Sequence, residues 1–169
     1  DLVMEQSNLA DLRALTLKDI DGRSDRAELK LCLPDEYRKI CEHYGKVCVP
    51  ELKSNFTLDE IREILAIFDG YLDATCFIAF NIANLDLVKQ LRPEQECQFL
   101  SGEYKPEYPE MLAARKMGLD IAYPALTEEA VRALHDCGVE VNCWTVDNPE
   151  DAKRLISWGV DYITSNILE

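Results

Sequence analysis

From residue 31 onward a glycine closes nearly every strand–helix pair of this 169-residue chain, and that interval limits its possible folds more than any other feature. Gly118, Gly138 and Gly159 are 20 and 21 residues apart, and Gly45 and Gly70 are 25 apart. One β-strand, one helix and short connections fill such an interval, so parallel βα units are predicted. Pro34 opens a helical stretch to Tyr44 that Gly45 can close in the left-handed conformation, and Val47 to Lys53 reads as a strand. Thr57 and Glu60 form a capping box before a helix with Ile61, Ile64, Leu65 and Phe68 at core spacing.

The rhythm continues to the C-terminus. Strands are predicted at Thr75–Phe80, Cys97–Leu100, Leu119–Tyr123, Val139–Val146 and Val160–Thr164. Helices are predicted at Asn84–Leu91, at Pro109–Met117 with Gly118 closing it, from the Thr127 cap to Cys137, and from Asn148-Pro149 to Trp158. Residues 1–30 form an irregular lead-in, helical over Asn8–Leu15 and a charged loop over Lys18–Lys30. With no Gly/Ser linker, residues 1–169 are expected to be one α/β domain. The chain holds five to six units, whereas a complete eight-unit barrel takes roughly 250 residues. An open doubly wound sheet and part of a barrel whose opening strands are missing both fit this count.

Charge narrows the partners. Acidic residues outnumber basic ones 32 to 18, a formal net charge of -14, which argues against nucleic acid as a partner. An anionic small molecule would need a local positive group or a metal. No apolar run reaches the roughly 18 residues of a membrane span, and Asp1-Leu2-Val3-Met4-Glu5 lacks a basic-then-apolar signal pattern, so neither a membrane span nor secretion is expected. The seven cysteines are an odd number without a C-x-x-C pair, the usage of a reducing cytoplasm rather than of a disulfide or zinc framework.

Along the first strand Val47, Val49, Glu51 and Lys53 share a face, with the carboxylate and ammonium at its C-terminal end. Ligands bind at that end of parallel strands, where Glu51 could serve a hard cation and Lys53 a phosphate oxygen. A surface ion pair finishing the strand is the alternative. Trp144 and Phe80 stand at strand ends where an aromatic ring either stacks on a ligand or completes the core. His43 and His135 fall within helices, away from that end, and no Gly-rich phosphate loop, nucleophile elbow or H-E-x-x-H is present. No complete catalytic constellation is visible.

Three segments carry a resemblance. They are Leu33-Pro-Asp-Glu-Tyr to Val49-Pro-Glu-Leu-Lys53, Phe77-Ile-Ala-Phe-Asn81, and the tail from Val141-Asn-Cys-Trp-Thr-Val-Asp147 through Gly159-Val-Asp-Tyr-Ile-Thr164. Together they resemble the later part of the glycerophosphodiester phosphodiesterase family, over roughly residues 8–169. The resemblance implies a partial TIM (β/α) barrel lacking its N-terminal strands and a place in lipid metabolism. The implied activity is hydrolysis of small-molecule glycerophosphodiesters to glycerol 3-phosphate and an alcohol, with a divalent calcium or magnesium ion.

By that resemblance Glu51 is a metal ligand, Lys53 contacts phosphate, and Trp144 and Phe80 line the glycerol pocket. The family's His-Arg-Gly, Glu-x-Asp and His-Asp strands are not in this sequence, and Ala79 and Ser165-Asn166 also depart from its pattern. The expectation is a chain inactive alone, with a metal weakly held. The alternative is a non-enzymatic half-barrel scaffold whose open edges and apolar inner face lead it to self-associate as a homo-oligomer or to dock a partner.

Overall fold

The computed structural model describes residues 3–168; Asp1, Leu2 and Glu169, the ends of the expected domain, lie outside the described residues. Helix α1 (Leu9–Ala14) starts at Asn8, whose side chain accepts from the Asp11 amide at 2.9 Å. Arg13 on α1 makes two hydrogen bonds to Glu36, at 2.9 and 3.0 Å, and so ties the lead-in to α2 (Pro34–Tyr44). Residues 16–32 carry no helix or strand; their charges pair locally, as in Arg23 with Asp25 and Arg26 with Asp19.

The repeating part then unfolds as the glycine interval predicts. Helix α3 (Leu58–Ile67) is followed by β1 (Phe77–Ala79), α4 (Ile82–Leu91), β2 (Cys97–Ser101), α5 (Tyr108–Arg115) and β3 (Gly118–Ala122). Helix α6 (Glu128–Asp136), β4 (Val141–Trp144), α7 (Pro149–Trp158) and β5 (Tyr162–Ile163) complete it. The five strands are all parallel and lie in sequence order. Residues 47–52 add a sixth, extended segment beside β1: Cys48 N–H donates to Ala74 O and Leu52 N–H to Ile78 O, both at 2.8 Å. Pro50 accepts from the Ile78 amide but has no amide to donate back to β1, which interrupts the ladder between the two contacts. Strands in sequence order with a helix between each and the next are the arrangement of a barrel, and the fold is a partial TIM barrel.

Alternation along the strands separates two faces. Phe77, Leu119, Ile121, Val141 and Cys143, all fully buried, point outward into the layer of helices, where Ile61, Leu85, Leu112, Leu134 and Leu155 meet them. This is the main hydrophobic core. All seven thiols are unpaired, and burial pushes Cys143 and Cys48 up to about 11 and Cys76 and Cys97 up to about 12. Such thiols pack as small apolar groups.

Two expectations need correction. Gly118 does not close α5; Lys116 takes the left-handed position, at φ 53°, and Gly118 begins β3. The glycine is there for space, since a Cβ at 118 would lie 3.0 Å from Gln98 Cγ and 3.2 Å from the Glu140 carbonyl oxygen. The inner face of the sheet is also less apolar than expected. Val47, Val49, Ile78 and Leu100 share it with Glu96, Gln98, Asp120, Glu140 and Asn142. Val47 and Val49 are 58% and 43% exposed, because no strand stands on their free side.

Candidate functional site

The C-terminal ends of the strands surround an open hollow of about 540 Å³. Each wall follows from strand alternation. Glu51 and Lys53 enter from the edge segment, Ile78 and Phe80 from β1 and its end, and Leu100 from β2. Asp120 enters from β3, Asn142 and Trp144 from β4, and Thr164 from the turn after β5. The four residues singled out from sequence, Glu51, Lys53, Phe80 and Trp144, therefore line one space.

The aromatic side is a fixed wall. Phe80 and Trp144 meet edge to face, with centroids 5.9 Å apart and planes at 83°. The Trp144 indole N–H donates to the Asp120 carbonyl oxygen at 3.2 Å, which anchors the ring to the neighbouring strand. Phe80 stays 54% exposed at the rim, so an apolar surface is offered to whatever enters. On the edge segment beside β1, the Lys53 ammonium lies 3.4 Å from a Glu51 carboxylate oxygen, its own side chain 75% exposed. An ion pair this open contributes little to stability, and the ammonium remains available to an anion.

Below the hollow is a polar layer. Asn142 Nδ2 donates to Gln98 Oε1, and Thr164 Oγ1 donates to Asn142 Oδ1, both at 3.4 Å. Behind β5, Asp147 secures the tail by accepting from the Asn166 amide at 2.8 Å, from the Asn166 side chain at 3.0 Å and from Ser165 Oγ at 3.0 Å. Those bonds hold the Asp147 carboxyl below its ordinary range, the Asn166 side chain contributing most.

One ionisable wall residue escaped the sequence reading. Asp120 is 3% exposed, and burial, with the negative charge of Glu51 as a smaller cause, pushes its carboxyl up to about 7. Its signal was a lone aspartate in the otherwise apolar run Leu119-Asp-Ile-Ala122. Neither histidine reaches the hollow. His43 is exposed beside Tyr44 at the end of α2, and His135 pairs at 2.9 Å with Asp161, whose carboxylate also accepts from the Val141 amide at the opposite end of the sheet.

A divalent metal would need more oxygen ligands than the hollow gathers. Among the described residues no three His, Cys, Asp or Glu side chains gather as ligands. Glu51 is engaged by Lys53, and Asp120 is held toward its neutral form. Glu51 and Asp120 alone therefore do not complete a divalent-metal ligand set among the described residues. What the hollow offers is an apolar wall, one ammonium and one open carboxylate, a combination suited to a small ligand with an anionic group.

The sequence matches the family model described as "Glycerophosphoryl diester phosphodiesterase family" over residues 3–168. No curated protein matches it significantly. Among solved structures, a glycerophosphodiester phosphodiesterase from Parabacteroides distasonis is 26% identical with a TM-score of 0.73, over 94% of this chain and 66% of that one. A candidate glycerophosphoryl diester phosphodiesterase from Silicibacter pomeroyi is also 26% identical, with a TM-score of 0.74, over 92% of this chain and 63% of that one. An Oleispira antarctica phosphodiesterase in complex with the product sn-glycerol-3-phosphate shares the fold, at 20% identity and a TM-score of 0.75, over 98% of this chain and 69% of that one. The chain thus spans about two thirds of the length of these structures. Among the described residues no helix is long and apolar enough to cross a membrane.

Proposed function

The chain belongs to the glycerophosphoryl diester phosphodiesterase family, and we propose that it forms the larger part of a barrel that hydrolyses glycerophosphodiesters to glycerol 3-phosphate and an alcohol. The observation that carries this reading is the meeting of Lys53, Glu51, Phe80 and Trp144 around one hollow at the C-terminal strand ends. In the reaction water attacks phosphorus, the bond to the head-group oxygen breaks, and that oxygen leaves with a proton.

Lys53 would offset the charge of the phosphodiester, which a chain of net charge -14 otherwise repels. Phe80 and Trp144 would pack against the carbon chain of the glycerol unit and exclude water from that side. In the complete barrel Glu51 would be one oxygen ligand of a calcium or magnesium ion, with the remaining ligands and the proton-transferring groups supplied by strands outside this sequence. Seven unpaired thiols support a reducing, cytoplasmic setting.

The chain alone, given calcium or magnesium and glycerophosphocholine, should release no glycerol 3-phosphate above background. A protein extended by the family's opening strands should turn over, and Glu51→Gln in it should lower the rate on the order of 100-fold. Clear turnover by the chain alone would overturn the assignment of the acid and base to other strands.

A half-barrel scaffold is the second reading, favoured by the exposed Val47 and Val49 on one edge and the 51% exposed Tyr162 on the other. It predicts self-association at micromolar concentration in sedimentation velocity. A well-folded monomer would rule it out.

A further inference from the structure

Three buried side-chain polar atoms lack a hydrogen-bond partner among the described residues: Arg38 Nε, Gln95 Oε1 and Asp120 Oδ1. Of these residues only Asp120 lines the hollow. Buried polar atoms are nearly always bonded, so an orphan at the wall of a cavity calls for an explanation outside the fold.

The neighbours of Asp120 show why no described residue satisfies it. Leu100 and Asn142 flank it in register on the adjacent strands. Leu100 has no polar atom, and Asn142 directs its amide to Gln98 and receives Thr164 on its oxygen. The Trp144 indole N–H reaches the Asp120 main chain instead of its carboxyl. Across the hollow, Lys53 is drawn to Glu51. The strand has therefore placed a carboxyl group at the wall of the hollow that no described residue bonds, open to a molecule that enters.

We propose that Asp120 is a ligand-contact residue that hydrogen-bonds a hydroxyl of a polyol unit lying against the Phe80–Trp144 wall. This rests on the phosphodiester reading of the same hollow and adds to it the group that selects a hydroxylated over a plain alkyl substituent. The chemistry favours a hydroxyl over the alternatives. A phosphate oxygen beside this carboxyl would meet repulsion, and its counter-charge, Lys53, stands three strands away on the edge segment. A bare cation would find too few ligands. A hydroxyl both donates and accepts, so it suits a carboxyl group in either protonation state.

The test uses the 169-residue chain with two probes of equal charge, sn-glycerol 3-phosphate and n-propyl phosphate, which lacks both hydroxyls. Affinities come from shifts of the Trp144 indole N–H resonance, which also reports that the site remains folded. Wild type should prefer glycerol 3-phosphate. Asp120→Leu should weaken glycerol 3-phosphate about tenfold and leave n-propyl phosphate within about twofold. Asp120→Asn, which keeps a donor and an acceptor, should hold the preference within about threefold.

A preference unchanged in Asp120→Leu, or an equal loss on both probes with the indole resonance intact, would overturn the role of Asp120 alone. Binding of neither probe to wild type would overturn this proposal for the chain, while turnover by the protein extended by the opening strands tests the phosphodiester reading separately.

Discussion

Asp120→Asn should stabilise the chain far more at pH 8 than at pH 5. The Asp120 carboxyl sits at about 7 in the folded chain against an ordinary 3.8, chiefly because burial disfavours its charge. Between those values the folded chain holds a proton that the unfolded chain has released. The contribution of this site is complete below the ordinary carboxylate range and is lost as pH rises through about 7. At pH 8 the wild type must bury an ionised carboxylate, whereas the amide of asparagine is neutral throughout.

The difference amounts to at most about 4 kcal/mol, and about half that where water in the open hollow screens the charge. At pH 5 the gain should fall below half its pH 8 value. Urea unfolding of both proteins at the two pH values measures it, and because every other carboxylate titrates alike in the pair, their difference isolates position 120. An equal gain at both pH values would mean that Asp120 titrates normally.

Phe77→Ala should cost about 3–5 kcal/mol. Phe77 is fully buried, the first residue of β1, and meets Phe68 of the α3 C-terminus edge to face, with centroids 5.5 Å apart. Removing the ring opens a cavity between sheet and helices and removes the aromatic pair. For a chain of this size the loss lowers the melting temperature by about 10 °C or more. The same change at Phe80, whose ring is 54% exposed at the hollow, should cost well under half as much. Thermal unfolding of the two variants compares them directly; equal losses would mean that the outward layer of helices is not the principal core.

The repeating architecture was legible because its signals are local. Thr57 and Glu60 form the reciprocal box that their spacing predicts, with the Thr57 amide donating to Glu60 at 2.7 Å and the Glu60 amide to Thr57 Oγ1 at 3.3 Å. Thr127 and Asn148 cap α6 and α7 as expected. Asn81 was missed as the cap of α4, whose first turn therefore begins earlier than its apolar spacing suggests.

What stayed hidden depends on neighbours distant in sequence. Nothing near Gly118 reveals that Gln98 and the Glu140 carbonyl crowd it, and so a packing glycine reads as a helix stop. Asp120 was hidden for the same reason. Its want of a donor is a property of Leu100, Asn142 and Lys53 together, residues from three other segments. Glu51 and Lys53 were visible because both lie on one strand, two positions apart.

Every strand in this sheet pairs with its neighbour in the chain: Phe77 with Cys97, Gln98 with Gly118, Leu119 with Val141, and Asn142 with Tyr162. Each pairing closes a loop of nearly constant length, so the entropy of closure is spread evenly and no long-range contact must form first. Such a chain can acquire its units one after another as it leaves the ribosome. A further strand added at either edge would leave every one of these registers unchanged.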